Sequence, residues 1–296
     1  MGNIKKIDVH MHTTLWEYNH AGSGASFVTA DGVREIYKKM NIEKGFILPL
    51  SSPECRFVLH TNEEMEYIAN KNPDIFHWFC NIDPRMIKND KTADFSIYLE
   101  DLKKRGAIGI GEVTANMYID DPLMENLFYH AGECDMPVTI HMAPKQFGDY
   151  GVIDELGLPR LEKILKKYPK TKILGHSHCF WSEISDNVTE ENRRTCVTGK
   201  ATGGRIVELM REYPNLYCDL SAGSGNNAMT RDPDFTYRFF EEFSDRLMYG
   251  TDICTADWYM PLGDWLDESF EKGFIKEDVY KKICRENAIK LFKLKL

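Results

Sequence analysis

Residues 166–178 read KKYPKTKILGHSH. An amphipathic segment ends on two lysines and a tyrosine, Pro169 follows, and a short apolar run then stops at two histidines. Basic residues in a last turn followed by a proline that cannot continue the helix mark a helix exit, and the run after it reads as a buried strand. The same exit recurs as NKNPD (70–74) and REYPN (211–215). Helix starts are marked too. Thr61 with Glu64 forms a capping box, and Asp121-Pro122 and Asp232-Pro233 each place a capping side chain ahead of a proline at the first helical position.

Working outward, short apolar runs recur at 4–12, 45–50, 75–82, 107–113, 137–142, 172–178, 215–221 and 246–252. Runs of this length without polar alternation are buried on both faces, and their alternation with helices predicts a parallel sheet. Eight such units predict an α/β fold, a (βα)8 TIM barrel. A doubly wound sheet permits the same alternation, but no glycine-rich phosphate turn follows the first run. The expectation is one barrel domain over residues 1–296, with a long polar loop at 179–199 over the active-site face.

Composition narrows the function classes. The chain has 296 residues, 43% hydrophobic and 28% charged, with a formal net charge of −9. An acidic surface disfavours nucleic acid and anionic membranes. The eight cysteines are spread along the chain without C-x-x-C, as expected of reduced thiols. The N-terminus lacks the apolar core of a secretory signal, and no stretch is long enough to span a bilayer, so a cytoplasmic location is expected.

Histidines and acids cluster at strand ends. His10 and His12 close the first run, Glu112 the fourth, His141 the fifth, His176 and His178 the sixth, and Asp252 the eighth. In a barrel these ends surround one mouth. Residues two apart on a strand share a direction, so His10 and His12 converge. With a third imidazole and a carboxylate from other strands, they suit a divalent metal, zinc before iron, manganese, cobalt or nickel. Both His176 and His178 remain candidates to face it, the register of Lys172–Gly175 favouring His176. His20, His60, His77 and His130 lie elsewhere and are read as structural. Trp16, Trp181 and Trp258 sit in strand-to-helix loops, where they line a pocket or cover the rim, with Trp181 the first choice. Arg56, after the second run, is a candidate partner for a substrate carboxylate and equally a surface arginine.

Asp8-Val9-His10-Met11-His12, Gly109-Ile110-Gly111-Glu112, Ile140-His141, Leu174-Gly175-His176, Tyr249-Gly250-Thr251-Asp252 and Glu286-Asn287-Ala288 resemble the amidohydrolase superfamily, as does Asn81-Ile82-Asp83-Pro84-Arg85. The closer likeness is to its amidohydrolase-2 branch, which holds aminocarboxymuconate semialdehyde decarboxylase-like proteins. The resemblance spans essentially the whole chain. It implies one or two divalent metals, with His10, His12, His141 and Asp252 as ligands of the first. His176 then binds a second ion or polarises the substrate, and Glu112 bridges two ions as in TatD-like relatives. Ser177-His178-Cys179-Phe180 departs from the Gly-Gly usual after His176 and is similar to the TatD-like pattern.

The leading expectation is a hydrolase that cleaves an ester, lactone or amide in a small polar molecule by metal-activated water. Asp252 serves as general base and His176 steadies the oxyanion. The alternative is a metal-dependent decarboxylase acting on an unsaturated carboxylic acid. A barrel with a vestigial site that only binds a ligand is a third, weaker reading. Oligomeric state is not readable from the sequence; that barrels of this kind are commonly homodimers is analogy alone.

Overall fold

The computed structural model describes residues 4–17, 25–55 and 59–295. Nine parallel strands form one sheet: β1 (Lys6–Met11), β2 (Ile42–Ile47), β3 (Phe76–Cys80), β4 (Ala107–Val113), β5 (Val138–Ala143), β6 (Val152–Ile153), β7 (Ile173–His176), β8 (Leu216–Asp219) and β9 (Leu247–Met248). The order is β1-β2-β3-β4-β5-β7-β8-β9, with β6 off this path and paired to β5. Closure comes from the chain beyond β9. Val9 N–H donates to Tyr249 O (3.1 Å), Asp252 N–H to His10 O (2.8 Å) and His12 N–H to Ile253 O (2.7 Å). All edges of the eight principal strands are thereby paired, and the fold is the expected (βα)8 barrel.

The helices begin and end as the sequence predicts. α1 spans Ala30–Met40, and α2 spans Asn62–Lys71 after Thr61, whose hydroxyl accepts from Glu64 N–H at 3.1 Å. The capping box is only half formed, because the Glu64 carboxylate accepts instead from Leu15 N–H, which ties the first loop to α2. Asp121 caps the helix Pro122–Glu133 through Leu123 N–H. Each of the three proline exits releases the chain into the next strand.

Ile7, Val9, Phe46, Leu48, Phe79, Leu174 and Met248 fill the barrel interior, and Ala288, Leu291 and Phe292 of the last helix plug its lower end. A larger apolar layer packs between strands and outer helices. The polar strand ends require a change of facing, because Ile7 and Val9 point inward at odd positions while the two strand-end histidines, His10 and His12, are even. A bulge supplies it. Asp8 pairs with Gly45 and Met11 with Ile47, three residues against two. In the same way Ile110 pairs with Val138 and Val113 with Ile140, placing a bulge at Glu112. An extra residue in one strand turns the following side chains to the other face, a recurrent device beside active sites.

Among the described residues all eight cysteines are free, seven of them buried. No described helix is long and apolar enough to cross a membrane.

Candidate metal centre

The bulge in β1 sends His10 and His12 into the mouth, 0% and 2% exposed. Each has its far nitrogen fixed. His10 Nδ1 lies 2.6 Å from Asp219 Oδ2, and His12 Nδ1 donates to Leu48 O at 2.8 Å. A carbonyl can only accept, and a carboxylate beside imidazole holds the proton on the near nitrogen. Both rings are therefore directed to leave their Nε2 lone pairs bare. Those two Nε2 atoms are 3.2 Å apart. Glu112 Oε2 stands 3.6 and 3.5 Å from them, and Asp252 Oδ1 3.7 and 3.3 Å. Four electron-rich atoms facing one another repel unless a cation sits among them, so this donor set fits a divalent metal.

A second group adjoins the first. Glu112 Oε1 lies 2.6 Å from His141 Nδ1 and 3.7 Å from His176 Nε2. His176 is oriented by Ser221, whose hydroxyl is 3.0 Å from Nδ1, and by Asp219 Oδ2 at 3.4 Å. Glu112 thus presents one oxygen to each group.

Electrostatics follow from burial. Burial opposes charge on His10, but Asp219 and Glu112 outweigh it, and its pKa lies well above the usual imidazole value. Burial also opposes charge on His12, which Asp252 and Glu112 outweigh, raising its pKa. Burial pushes Glu112 upward, yet His141 and His10 hold it well below the ordinary carboxylate range. Asp252 and Asp219 are likewise held low against burial, the first by His12 and His10, the second by His10 and His176. The mouth is a sink for positive charge, filled by protons or by metal.

The backbone is shaped around these groups. Asp252 adopts φ +58°, a left-handed conformation that aspartate tolerates. A side chain on Gly250 would lie 2.8 Å from Asp219 Oδ1, so glycine is needed there for the carboxylate to reach His10. Asp8, fully buried, accepts from His10 N–H, Tyr37 hydroxyl, Thr251 N–H and Thr251 hydroxyl, and so couples the two ends of the chain. Burial, partly offset by those bonds, lifts its pKa to about 7. Asn81 donates to both Pro49 O and Glu112 O, steadying the bulged end of β4.

The structure brings together His10, His12, Glu112, His141, His176 and Asp252. His178 starts a short helical turn (His178–Trp181); it is exposed and faces Cys196, with Nε2 to Sγ 3.7 Å. Trp181 is 2% exposed and its indole N–H donates to Asp219 O at 3.0 Å. Trp258 donates to Thr251 O, and Trp16 is largely exposed at the rim. Arg56 and His20 lie outside the described residues. Sequence reasoning missed Asp219 and Ser221, although both lie in the last three residues of the seventh run, near a strand end like the candidate ligands.

A family model described as amidohydrolase matches residues 60–294. No curated protein matches the sequence. Similar solved structures include an uncharacterized TIM-barrel protein from Bordetella bronchiseptica, 17% identical with TM-score 0.65, the alignment covering 98% of this chain and 99% of that one. A dihydroxybenzoic acid decarboxylase from Polaromonas, with bound manganese and the inhibitor 2-nitroresorcinol, is 18% identical with TM-score 0.61 over 99% and 98%. A probable 2-pyrone-4,6-dicarboxylic acid hydrolase from Acinetobacter baumannii, with citric acid bound, is 14% identical with TM-score 0.58 over 98% and 100%. At these identities the likeness is one of fold.

Proposed function

Because the chain belongs to the amidohydrolase family, we propose that it is a metal-dependent hydrolase that cleaves an ester, lactone or amide bond in a small polar molecule, with Glu112 shared between two cations. The observation that supports this reading is the fork of Glu112, with Oε2 toward His10 and His12 and Oε1 toward His141 and His176. His10, His12, Asp252 and Glu112 Oε2 would hold one ion, and Glu112 Oε1, His141 and His176 a second. A divalent ion there supplies Lewis acidity, which lowers the pKa of water and polarises a carbonyl.

The protein's own groups supply the rest. Asp252 is the one carboxylate of the cluster with a fifth of its side chain open to the mouth, and its pKa is held low. It accepts the proton of the attacking water at Oδ2 and returns it to the leaving group, a general-base and then general-acid cycle. Asp219 and Leu48 O keep His10 and His12 in one tautomer, and Ser221 keeps the His176 ring in place, so no reorganisation is needed as charge develops.

The test is metal content by elemental analysis of the wild type and Glu112→Ala, together with turnover of lactones, esters and amides against unsaturated carboxylic acids. About two ions per chain, falling in the variant, with turnover of a lactone, ester or amide, is the expected result. About one ion, unchanged in the variant, with release of carbon dioxide from an unsaturated acid, overturns it in favour of a decarboxylase. The decarboxylase reading has a likeness of fold on its side and needs only one ion.

A further inference from the structure

A cavity of about 180 Å³ opens beside His141, walled by Asp149, Tyr150, His178, Cys179 and Arg194. One end of it meets the metal centre, because His141 is the residue bonded to Glu112. Tyr150 leans on the His141 ring with centroids 4.6 Å apart, which leaves an aromatic side wall. Arg194 comes from the long segment after β7 and is the cationic side chain among these lining residues. Arg194 Nη2 pairs with Asp149 Oδ2 at 2.8 Å, and the guanidinium is 48% exposed. A guanidinium has five N–H donors, and this contact occupies one edge of it. A pair so exposed is worth little to the folded state, so an incoming anion competes with Asp149 at small cost.

We propose that Arg194 selects the substrate by pairing with its carboxylate, so that the enzyme acts on small monocarboxylates whose scissile ester, lactone or amide carbonyl lies toward His141. The planar fork of arginine matches the two oxygens of a carboxylate. Asp149, left facing the same cation, disfavours a doubly charged group such as a phosphate. The volume of about 180 Å³ is that of about six water molecules, which holds a compact ring and one carboxylate. The inference rests on the proposed hydrolase reading for the identity of the scissile bond, and on the cavity alone for the carboxylate.

The experiment is isothermal titration of the metal-loaded protein with 5-oxotetrahydrofuran-3-carboxylate and with the neutral 5-oxotetrahydrofuran-3-carboxamide. It is run on the wild type, Arg194→Ala and Asp149→Asn, with metal content checked for each. The wild type is expected to bind the carboxylate about tenfold more tightly than the amide, the low end for a charge-assisted contact at a half-exposed group. Arg194→Ala removes that preference, and Asp149→Asn increases it by freeing the guanidinium. If the pair only pins the loop, both variants shift binding in the same direction, and the proposal fails. It fails equally if neither probe binds, or if inorganic phosphate displaces the carboxylate more strongly than acetate does. A carboxylate preference that depends on Arg194 without turnover of the lactone sinks the hydrolase reading and leaves this one standing. Turnover of both probes at equal rates, indifferent to Arg194, does the reverse.

Discussion

The two ends of the barrel are built from the same strands by opposite chemistry. At the lower end Phe46, Phe79 and Phe292 pack ring to ring, with centroids 5.0 to 5.8 Å apart. At the mouth, the carboxylates of Glu112, Asp219 and Asp252 face the four imidazoles of His10, His12, His141 and His176. The lower end lowers the free energy of the fold by removing apolar surface from water. The mouth keeps charged groups out of water at a cost, and holds them in one arrangement so that a cation and a substrate recover it. Stability and chemistry are therefore separable along the barrel axis, and a substitution at one end is expected to leave the other intact.

The strongest way to break this division is Asp252→Asn. The amide keeps the shape and removes the proton acceptor, so kcat is expected to fall by about 10² to 10⁴. The thermal midpoint is expected to hold or to fall slightly, since the carboxylate is held low by His12 and His10 and its charge contributes to the fold. Activity assays beside a thermal melt check both, and a variant that keeps near wild-type turnover removes Asp252 from the reaction. At the opposite end, Phe292→Ala deletes a ring that is 6% exposed. Losing a buried phenylalanine costs about 3 to 5 kcal/mol, and the chain end here relaxes toward the lower figure. Denaturant unfolding reads the loss, and metal affinity measured on the folded variant should stay at the wild-type value. A fall in metal affinity to match the fall in stability would mean the two ends are not separable.

A smaller effect sharpens where the mouth begins. Asp219 touches no proposed substrate space, yet it orients His10 and reaches His176. Asp219→Asn is expected to weaken metal binding about 10- to 100-fold, the usual size for the partner of a ligating histidine. Competition with a chromophoric chelator measures it. Unchanged affinity would show that the β1 bulge alone sets the ring.

Much of this was legible in the sequence, for identifiable reasons. Strands, exits and caps are local, and KKYPK, REYPN and Asp121-Pro122 carry their own punctuation. The convergence of His10, His12, His141, His176 and Asp252 was legible because a parallel barrel turns sequence position at a strand end into spatial proximity. The bulges at His10 and Glu112 were not, since an extra residue in one strand is a property of the pairing with its neighbour. The strand Val152–Ile153 was missed because two residues make no pattern. The Glu64 carboxylate left its capping box for Leu15 N–H, a contact 49 positions away that no local rule contains. The Trp181 indole N–H donates to Asp219 O, a contact 38 positions away that its loop does not announce.

The smallest expected effect concerns charge at the lower end. Asp74 lies just before β3, and its carboxylate takes two contacts from Arg34, at 2.5 and 2.8 Å. That pairing holds the Asp74 pKa down at about 2. A carboxylate whose folded pKa is depressed stabilises the fold above its unfolded pKa of about 4, and loses that contribution as pH falls toward 2. Asp74 is 62% exposed, so solvent screens the pair and the gain is no more than about 1 kcal/mol. Asp74→Asn should therefore lose up to about that amount in urea unfolding at pH 6. The difference should narrow between pH 4 and pH 3, and 1 M sodium chloride should remove most of it at pH 6. Burial, not the presence of charge, is what separates this pair from the carboxylates of the mouth. A loss at pH 6 well above 1 kcal/mol, or one indifferent to pH and salt, would show that charge at the lower end also carries the structure, and the division between the two ends would fall.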